Sequence, residues 1–190
     1  MPANYAFHRF GAEALRRLPE NQQRPIQRFR RLYNGGLLGA DLFFWFHPMV
    51  QSPVGELYHT YSSMNGREFF AQACELLRQN PSEGATACLY GLLANYCLSS
   101  HLSDLFRREN AGCSRTELEV ELDRYLLYAE KRSCEYSFAN LFLWGRQKAA
   151  FREDFVLLFS NFGKHSIYPF PVGCGDPKPM LDAVIADARK

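Results

Sequence analysis

Residues 82–108, SEGATACLYGLLANYCLSSHLSDLFRR, decide the fold class of this chain. Between Glu83 and Asp104 no residue carries a formal charge, and most side chains are apolar or aromatic. The stretch shows no alternation of apolar and polar residues of the kind that indicates a strand. We therefore predict a long helix buried at the centre of the molecule, with a break near Ser100 as an open alternative.

The uncharged part of this stretch also has the length of a membrane span, which is about 20 residues. It nevertheless contains one threonine, one asparagine, one histidine and three serines within residues 84–103. No clear asymmetry of positive charge flanks it. A buried helix is therefore favoured over a membrane span, and no transmembrane segment is expected.

Helical patterns also fill the sequence on both sides of the central stretch. In the first of them Phe7, Phe10, Ala14 and Leu18 recur at helical spacing. The tail, residues 164–190, is rich in proline and reads as mostly loop. No segment favours a strand, so the predicted fold class is all-α. Besides the central helix, the predicted helices cover residues 3–18, 25–32, 42–46, 67–78, 116–131, 147–162 and 179–188. The helix over 116–131 has an apolar stripe that contains Leu118, Leu122, Tyr125, Leu126 and Ala129.

Residues with strong turn and capping preferences mark the predicted ends of these helices. Pro25 is expected to begin the second helix, and the sequence NGG at residues 34–36 is expected to close it. Asn65 is expected to cap the helix that follows it. Ser114 and Glu117 have the spacing of a capping box, in which each residue binds the backbone amide of the other.

Composition indicates one folded domain over residues 1–190. Hydrophobic residues make up 47% of the 190 residues and charged residues 22%, which excludes a wholly disordered chain. The net charge of +2 gives no general attraction to nucleic acid, so no nucleic-acid partner is expected. The six cysteines form no C-x-x-C pair, and no secretory signal is evident. We expect a cytoplasmic protein with reduced thiols, with disulfides as the weaker alternative.

Two groups of charged residues stand out. Six arginines lie between residues 16 and 31, where they could contact the phosphates of a lipid or a nucleic acid. No binding motif accompanies them, so we interpret them as a solvated helical face. Arg115, Glu119 and Asp123 recur at every fourth residue, which on its own indicates exposed ion pairs worth on the order of a few tenths of a kcal/mol each.

A polar line runs along the otherwise apolar central helix. Asn95, Ser99 and Ser103 lie four residues apart, so they stack on one face over two turns. Such a line faces a cavity or another polar element in one interpretation. In the other, commoner case, these side chains bind neighbouring backbone groups.

Four segments in order resemble bacterial zinc-dependent phospholipase C-like proteins. The resemblance covers residues 2–127, about two thirds of the chain. It implies an all-helical phospholipase C-like bundle in which a zinc cluster, held mainly by histidines and a few carboxylates, activates water for phosphodiester hydrolysis. The segments are PANYAFHRFG (2–11), GGLLGADLFFWF (35–46), YGLLANYCLSS (90–100) and ELEVELDRYL (117–126).

The resemblance also implies which positions would hold the metal. Asp41 matches the family's aspartate, and Glu119 matches its glutamate. The family's His-x-x-x-Asp-x-x-x-His pattern is replaced by the polar line, Asn95, Ser99 and Ser103. The remaining three ligand histidines are replaced by Phe7, Ser62 and Arg115.

The substituted residues are poor zinc ligands, because zinc is held by imidazole, thiolate or carboxylate groups. Two carboxylates alone cannot form a three-ligand site, so no metal cofactor is expected. In the alternative, a rearranged zinc site combines Asp41 and Glu119 with His8, His59 or His101.

The function expected from the resemblance is therefore that of a relative without the zinc cluster and without hydrolase activity. Its polar cleft, with candidate residues Asp41, Asn95, Ser99, Ser103, Arg115 and Glu119, would bind a phosphate-bearing small molecule or a lipid head group. The alternatives are an active metal-dependent phosphodiester hydrolase with a rearranged site, and a helical interaction scaffold. We further predict that Arg115 binds Glu119 inside the former metal cleft, with Asp41 as second acceptor, so that a fixed cation replaces the metal.

Overall fold

A computed structural model of the chain describes residues 4–39, 65–109 and 114–132. Helices account for 87% of these residues and no strand occurs among them, so the all-α prediction is confirmed. The predicted helices over 42–46, 147–162 and 179–188, and the tail, lie outside the described residues. The helices are α1 (Asn4–Arg17), α2 (Glu20–Arg28), α3 (Arg30–Leu37), α4 (Gly66–Gln79), α5 (Glu83–Glu109) and α6 (Arg115–Ala129).

Helix α5 is the central element of the described fold. It contacts α1, α2, α3 and α4, most extensively α3, while α6 packs against α1. The helix continues through Ser100 without a break. None of the helices in the described ranges is both long and apolar enough to cross a lipid bilayer.

The second predicted helix is two helices, α2 and α3. Pro25 lies inside α2, which begins directly after Pro19, so its expected role as the first helical residue was wrong. The chain changes direction at Phe29, whose amide donates to the Pro25 carbonyl over 3.1 Å. Proline fixes its own φ and lacks an amide proton, and it is accommodated here within the short α2.

The sequence NGG at residues 34–36 does not close a helix, because α3 continues through it to Leu37. The role of Gly36 is close packing. A Cβ atom on Gly36 would lie 2.2 Å from the carbonyl oxygen of Cys88, and one on Gly91 would lie 2.1 Å from that of Tyr33. The two glycines therefore allow the backbones of α3 and α5 to touch.

The predicted caps of α4 and α6 are confirmed. The side chain of Asn65 accepts a hydrogen bond from the Arg67 amide over 3.0 Å. Ser114 and Glu117 form the reciprocal capping box at the beginning of α6. These local signals depend only on neighbouring residues, which is why the sequence identifies them.

The core lies between α5 and the first three helices. Tyr33 is almost fully buried there, and its hydroxyl donates to the Gly11 carbonyl over 2.7 Å. Burial raises the pKa of Tyr33 to about 12. The buried cluster consists of Leu15, Ile26, Tyr33, Leu37, Ala87 and Ala94.

Two predicted apolar faces are more exposed than expected. On α5, Leu93 is 40% exposed and Cys97 is exposed as well, so this helix is not surrounded on all sides by the described residues. On α6, Tyr125 is 67% exposed, whereas Leu127, which the predicted stripe omitted, is buried. The apolar residues of α6 face α1 across Leu122 and Leu126.

Candidate functional site

The first residue of the polar line, Asn95, is a structural side chain in the interior. It is 5% exposed, and its amide nitrogen donates to the Leu37 carbonyl at the end of α3 over 2.8 Å. Gly39 follows with a φ of +58°, and a Cβ there would lie 2.4 Å from the Asn95 Oδ1 atom. Asn95 thus binds a terminal carbonyl of α3, which helices must satisfy from outside.

In the rest of the polar line, the side chain of Ser103 binds the backbone of Ser99. The Ser103 hydroxyl donates to the carbonyl of Ser99 over 2.8 Å, a common local bond of serine within helices. Both side chains are only partly buried. The contacts of Asn95 and Ser103 therefore correspond to the interpretation in which these side chains bind backbone groups.

Arg115 and Glu119 form the predicted ion pair at the beginning of α6. The Nε atom of Arg115 lies 2.8 Å from Oε1 of Glu119. The Glu119 side chain is 14% exposed, whereas that of Arg115 is 52% exposed. The pairing is confirmed, but the cation lies at the surface and not deep in a cleft. Asp41, the predicted second acceptor, lies outside the described residues.

Asp123, one turn beyond Glu119, has a role that the sequence did not indicate. Its two carboxylate oxygens accept hydrogen bonds from the amides of Tyr5, over 3.2 Å, and Ala6, over 2.9 Å. Burial raises the pKa of Asp123, with Glu119 acting in the same direction and the two amides opposing the shift. An acidic residue of α6 therefore caps α1, and it is not part of an exposed ion-pair ladder.

A cleft of about 910 Å³ opens beside α1, between α5 and α6. Its lining combines apolar side chains with arginines that are distant in the sequence. Its charged residues comprise five arginines and two glutamates. The lining residues used below are Ala6, His8, Arg9, Phe10, Glu13, Arg16, Arg17, Arg30, Leu98, Leu102, Leu122, Leu126, Glu130 and Arg132.

Three basic side chains approach one another in this cleft. His8 from α1 is half-buried, and it lies within electrostatic reach of Arg30 from α3 and Arg132 just beyond α6. Burial lowers the pKa of His8, and the positive charges of Arg30 and Arg132 lower it further. The lowered pKa favours the neutral imidazole of His8, while the positive charges of Arg30 and Arg132 favour a negatively charged ligand.

Arg30 differs from the other arginines of the cleft. Its Nε donates to the side-chain oxygen of Asn34 over 3.2 Å, and its guanidinium lies 5.4 Å from the ring centre of Tyr33. Burial lowers the pKa of Arg30. Neither contact supplies a negative charge, and within the described ranges no carboxylate pairs with this half-buried cation.

The remaining arginines of the cleft already have carboxylate partners. Arg9 and Arg132 pair with Glu130, the latter over 3.4 Å. Glu13 pairs with two further cleft arginines, Arg16 and Arg17. The predicted solvated face is confirmed for Arg16, Arg17, Arg24 and Arg28, whose side chains are 72–78% exposed. Arg30 is the half-buried exception, and its burial depends on the packing of α3, which the sequence does not show.

The described residues contain no group of three or more histidine, cysteine, aspartate or glutamate side chains placed to hold a metal ion. His8 lies in the cleft, His101 is exposed on α5, and Glu119 pairs with Arg115. His59 and Asp41, also candidates for a rearranged zinc site, lie outside the described residues.

Comparison of the chain with protein-family models, with curated proteins and with solved structures found no match in any of the three.

Proposed function

We propose that this protein is a phospholipase C-like helical protein without the zinc cluster, which binds a phosphate-bearing anion in the cleft beside α1. The observation that carries the proposal is the convergence of His8, Arg30 and Arg132 from three separate segments. Among the described residues the half-buried guanidinium of Arg30 has no carboxylate partner, which is costly, and an anion would relieve that cost.

The charge of the cleft supports an anionic ligand. Its lining contains three more arginines than glutamates, and the guanidinium group suits the planar, two-point recognition of phosphate oxygens. Two neighbouring arginines of the lining, Arg9 and Arg17, pair with Glu130 and Glu13. A ligand at Arg30 would therefore bind the arginine of the lining that has no carboxylate partner among the described residues.

We also propose that the protein lacks hydrolase activity. The contacts of residues at the positions of the family's metal ligands support this. Asn95 has its amide nitrogen directed at the Leu37 carbonyl, which leaves this group as a donor and not as a metal ligand. Glu119 is engaged by Arg115. Exposed free thiols at Cys74 and Cys97 support the cytoplasmic location that we also propose.

Titration calorimetry of the protein with inorganic pyrophosphate at low salt tests the proposed function. We expect saturable binding at one site, and we expect Arg30→Gln to weaken it by about tenfold or more, because a hydrogen bond to a charged group contributes roughly 1.5–3 kcal/mol. Arg24→Gln is the matched control, because Arg24 is exposed on α2, pairs with Glu20 over 2.7 Å and does not line the cleft.

Two results would contradict the proposal. One is the absence of saturable pyrophosphate binding by the unmodified protein. The other is an equal loss of affinity in both arginine variants, which would show that only the overall charge of the surface attracts the anion. Circular dichroism of both variants establishes whether the helices remain intact.

A further inference from the structure

We infer that the ligand of this cleft is a single-chain amphiphilic phosphate, with its charged group at Arg30 and an unbranched hydrocarbon chain along the cleft floor. The inference rests on the proposed function and specifies the ligand further. It follows from the two kinds of side chain that line the cleft: arginines, and the apolar residues Phe10, Leu98, Leu122 and Leu126, which we call the cleft floor.

Four leucines from two helices line the cleft. Leu98 and Leu102 are one turn apart on α5, and Leu122 and Leu126 are one turn apart on α6. Leu98, Leu122 and Leu126 pack against the small cluster of Ala6 and Phe7 but remain only partly buried. Leu102 is buried, so the apolar surface that a flexible hydrocarbon chain can cover comes from the other three leucines.

Phe10 extends this apolar surface on α1. Phe10 lines the same cleft, and it is 38% exposed. Partly exposed apolar side chains that line a cleft gain free energy when a ligand removes them from water, by about 25 cal/mol for each Å² buried. A purely ionic ligand such as inorganic phosphate would leave this surface in water.

The placement of the cations favours one charged group on the ligand. Arg9, Arg16 and Arg17 are neutralised by Glu130 and Glu13, whereas Arg30 has no such partner among the described residues. An acidic amphipathic helix would need unpaired cations along its length. Within the described part of the chain, the cleft lining instead offers one arginine without a carboxylate partner, together with apolar side chains. Its volume of about 910 Å³ lies within the usual range of about 300–1,000 Å³ for small-molecule sites.

A series of alkyl phosphates, from butyl to hexyl to octyl phosphate below their micelle concentrations, tests the inference by calorimetry. Affinity should rise with chain length, by up to about fourfold for each added methylene, because each buried methylene contributes about 0.8 kcal/mol. Octyl glucoside, which has the same chain and no charge, should bind at least about tenfold more weakly than octyl phosphate.

Two variants separate the apolar and ionic contributions. Phe10→Ala should reduce the affinity for octyl phosphate while leaving that for pyrophosphate unchanged, whereas Arg30→Gln should reduce both. Tyr128→Ala is the matched aromatic control, because Tyr128 is 83% exposed on α6 and does not line the cleft.

The possible results distinguish this inference from the proposed function. If affinity does not change from butyl to octyl phosphate while pyrophosphate binds, the cleft is an anion site and the chain inference is wrong. If octyl glucoside binds as tightly as octyl phosphate, the ionic proposal fails together with the inference. If no probe binds but an acidic amphipathic peptide does, the occupant is a protein segment and the inference is overturned.

Discussion

At the scale of single residues, Asp123 shows how one side chain connects elements that are far apart in the sequence. Its carboxylate accepts hydrogen bonds from the Tyr5 and Ala6 amides, which are among the donors that a helix leaves unsatisfied at its first turn. The negative charge also lies at the positive end of the α1 dipole. Asp123 thereby fixes the position of α1, which carries His8 and one wall of the cleft.

We expect Asp123→Ala to lower the free energy of unfolding by about 1–2 kcal/mol, because the loss of a helix cap typically costs 0.5–2 kcal/mol. Urea denaturation of the variant and the unmodified protein measures the change. Asp104→Ala is the control, because Asp104 is exposed on α5 and its pair with Arg107 is long, at 3.6 Å. If the free energy of unfolding falls no more for Asp123→Ala than for this control, Asp123 does not cap α1.

At the scale of elements, the sequence allowed prediction of helices but not of the contacts between them. The caps at Asn65 and Ser114 depend on neighbouring residues and were predicted correctly. The sequence NGG at residues 34–36 was wrongly assigned to a helix end, because glycine favours both turns and close packing. Only the packing of α3 on α5 distinguishes these two roles. For the same reason the capping role of Asp123 could not be predicted, since its partners lie more than 110 residues away in the chain.

The contact between α3 and α5 yields a second stability prediction. A Cβ on Gly36 would meet backbone atoms of Cys88 and Leu92 at 2.2 and 2.9 Å, and these atoms cannot move without shifting α5. Gly36→Ala should therefore destabilise the protein by about 1–3 kcal/mol or more, despite the higher helix propensity of alanine.

Gly11→Ala provides the comparison for this prediction. There the nearest atoms, at 2.6 Å, belong to the end of the flexible Leu37 side chain, which can adjust its rotamer. Thermal unfolding followed by circular dichroism should show a clearly larger loss for Gly36→Ala. Equal losses would indicate that α3 and α5 can separate at little cost, and the account of their close approach would then be wrong.

At the scale of the whole molecule, we derive the expected metal content from the positions that match the zinc ligands of phospholipase C-like proteins. In this chain two of these positions have other contacts. Asn95 supports the end of α3, and Arg115 supplies a fixed positive charge to Glu119. Because these groups complete the protein's own interactions, bound zinc should contribute nothing to the stability of the fold. We expect the protein purified without added zinc to contain well below one equivalent of the metal, and its melting temperature to stay the same after treatment with a chelator. Elemental analysis and a thermal shift measurement check both expectations. Stoichiometric zinc, or a large fall in melting temperature with chelator, would favour a rearranged metal site and an active hydrolase, because a metal that binds only the folded state stabilises it more the more tightly it binds.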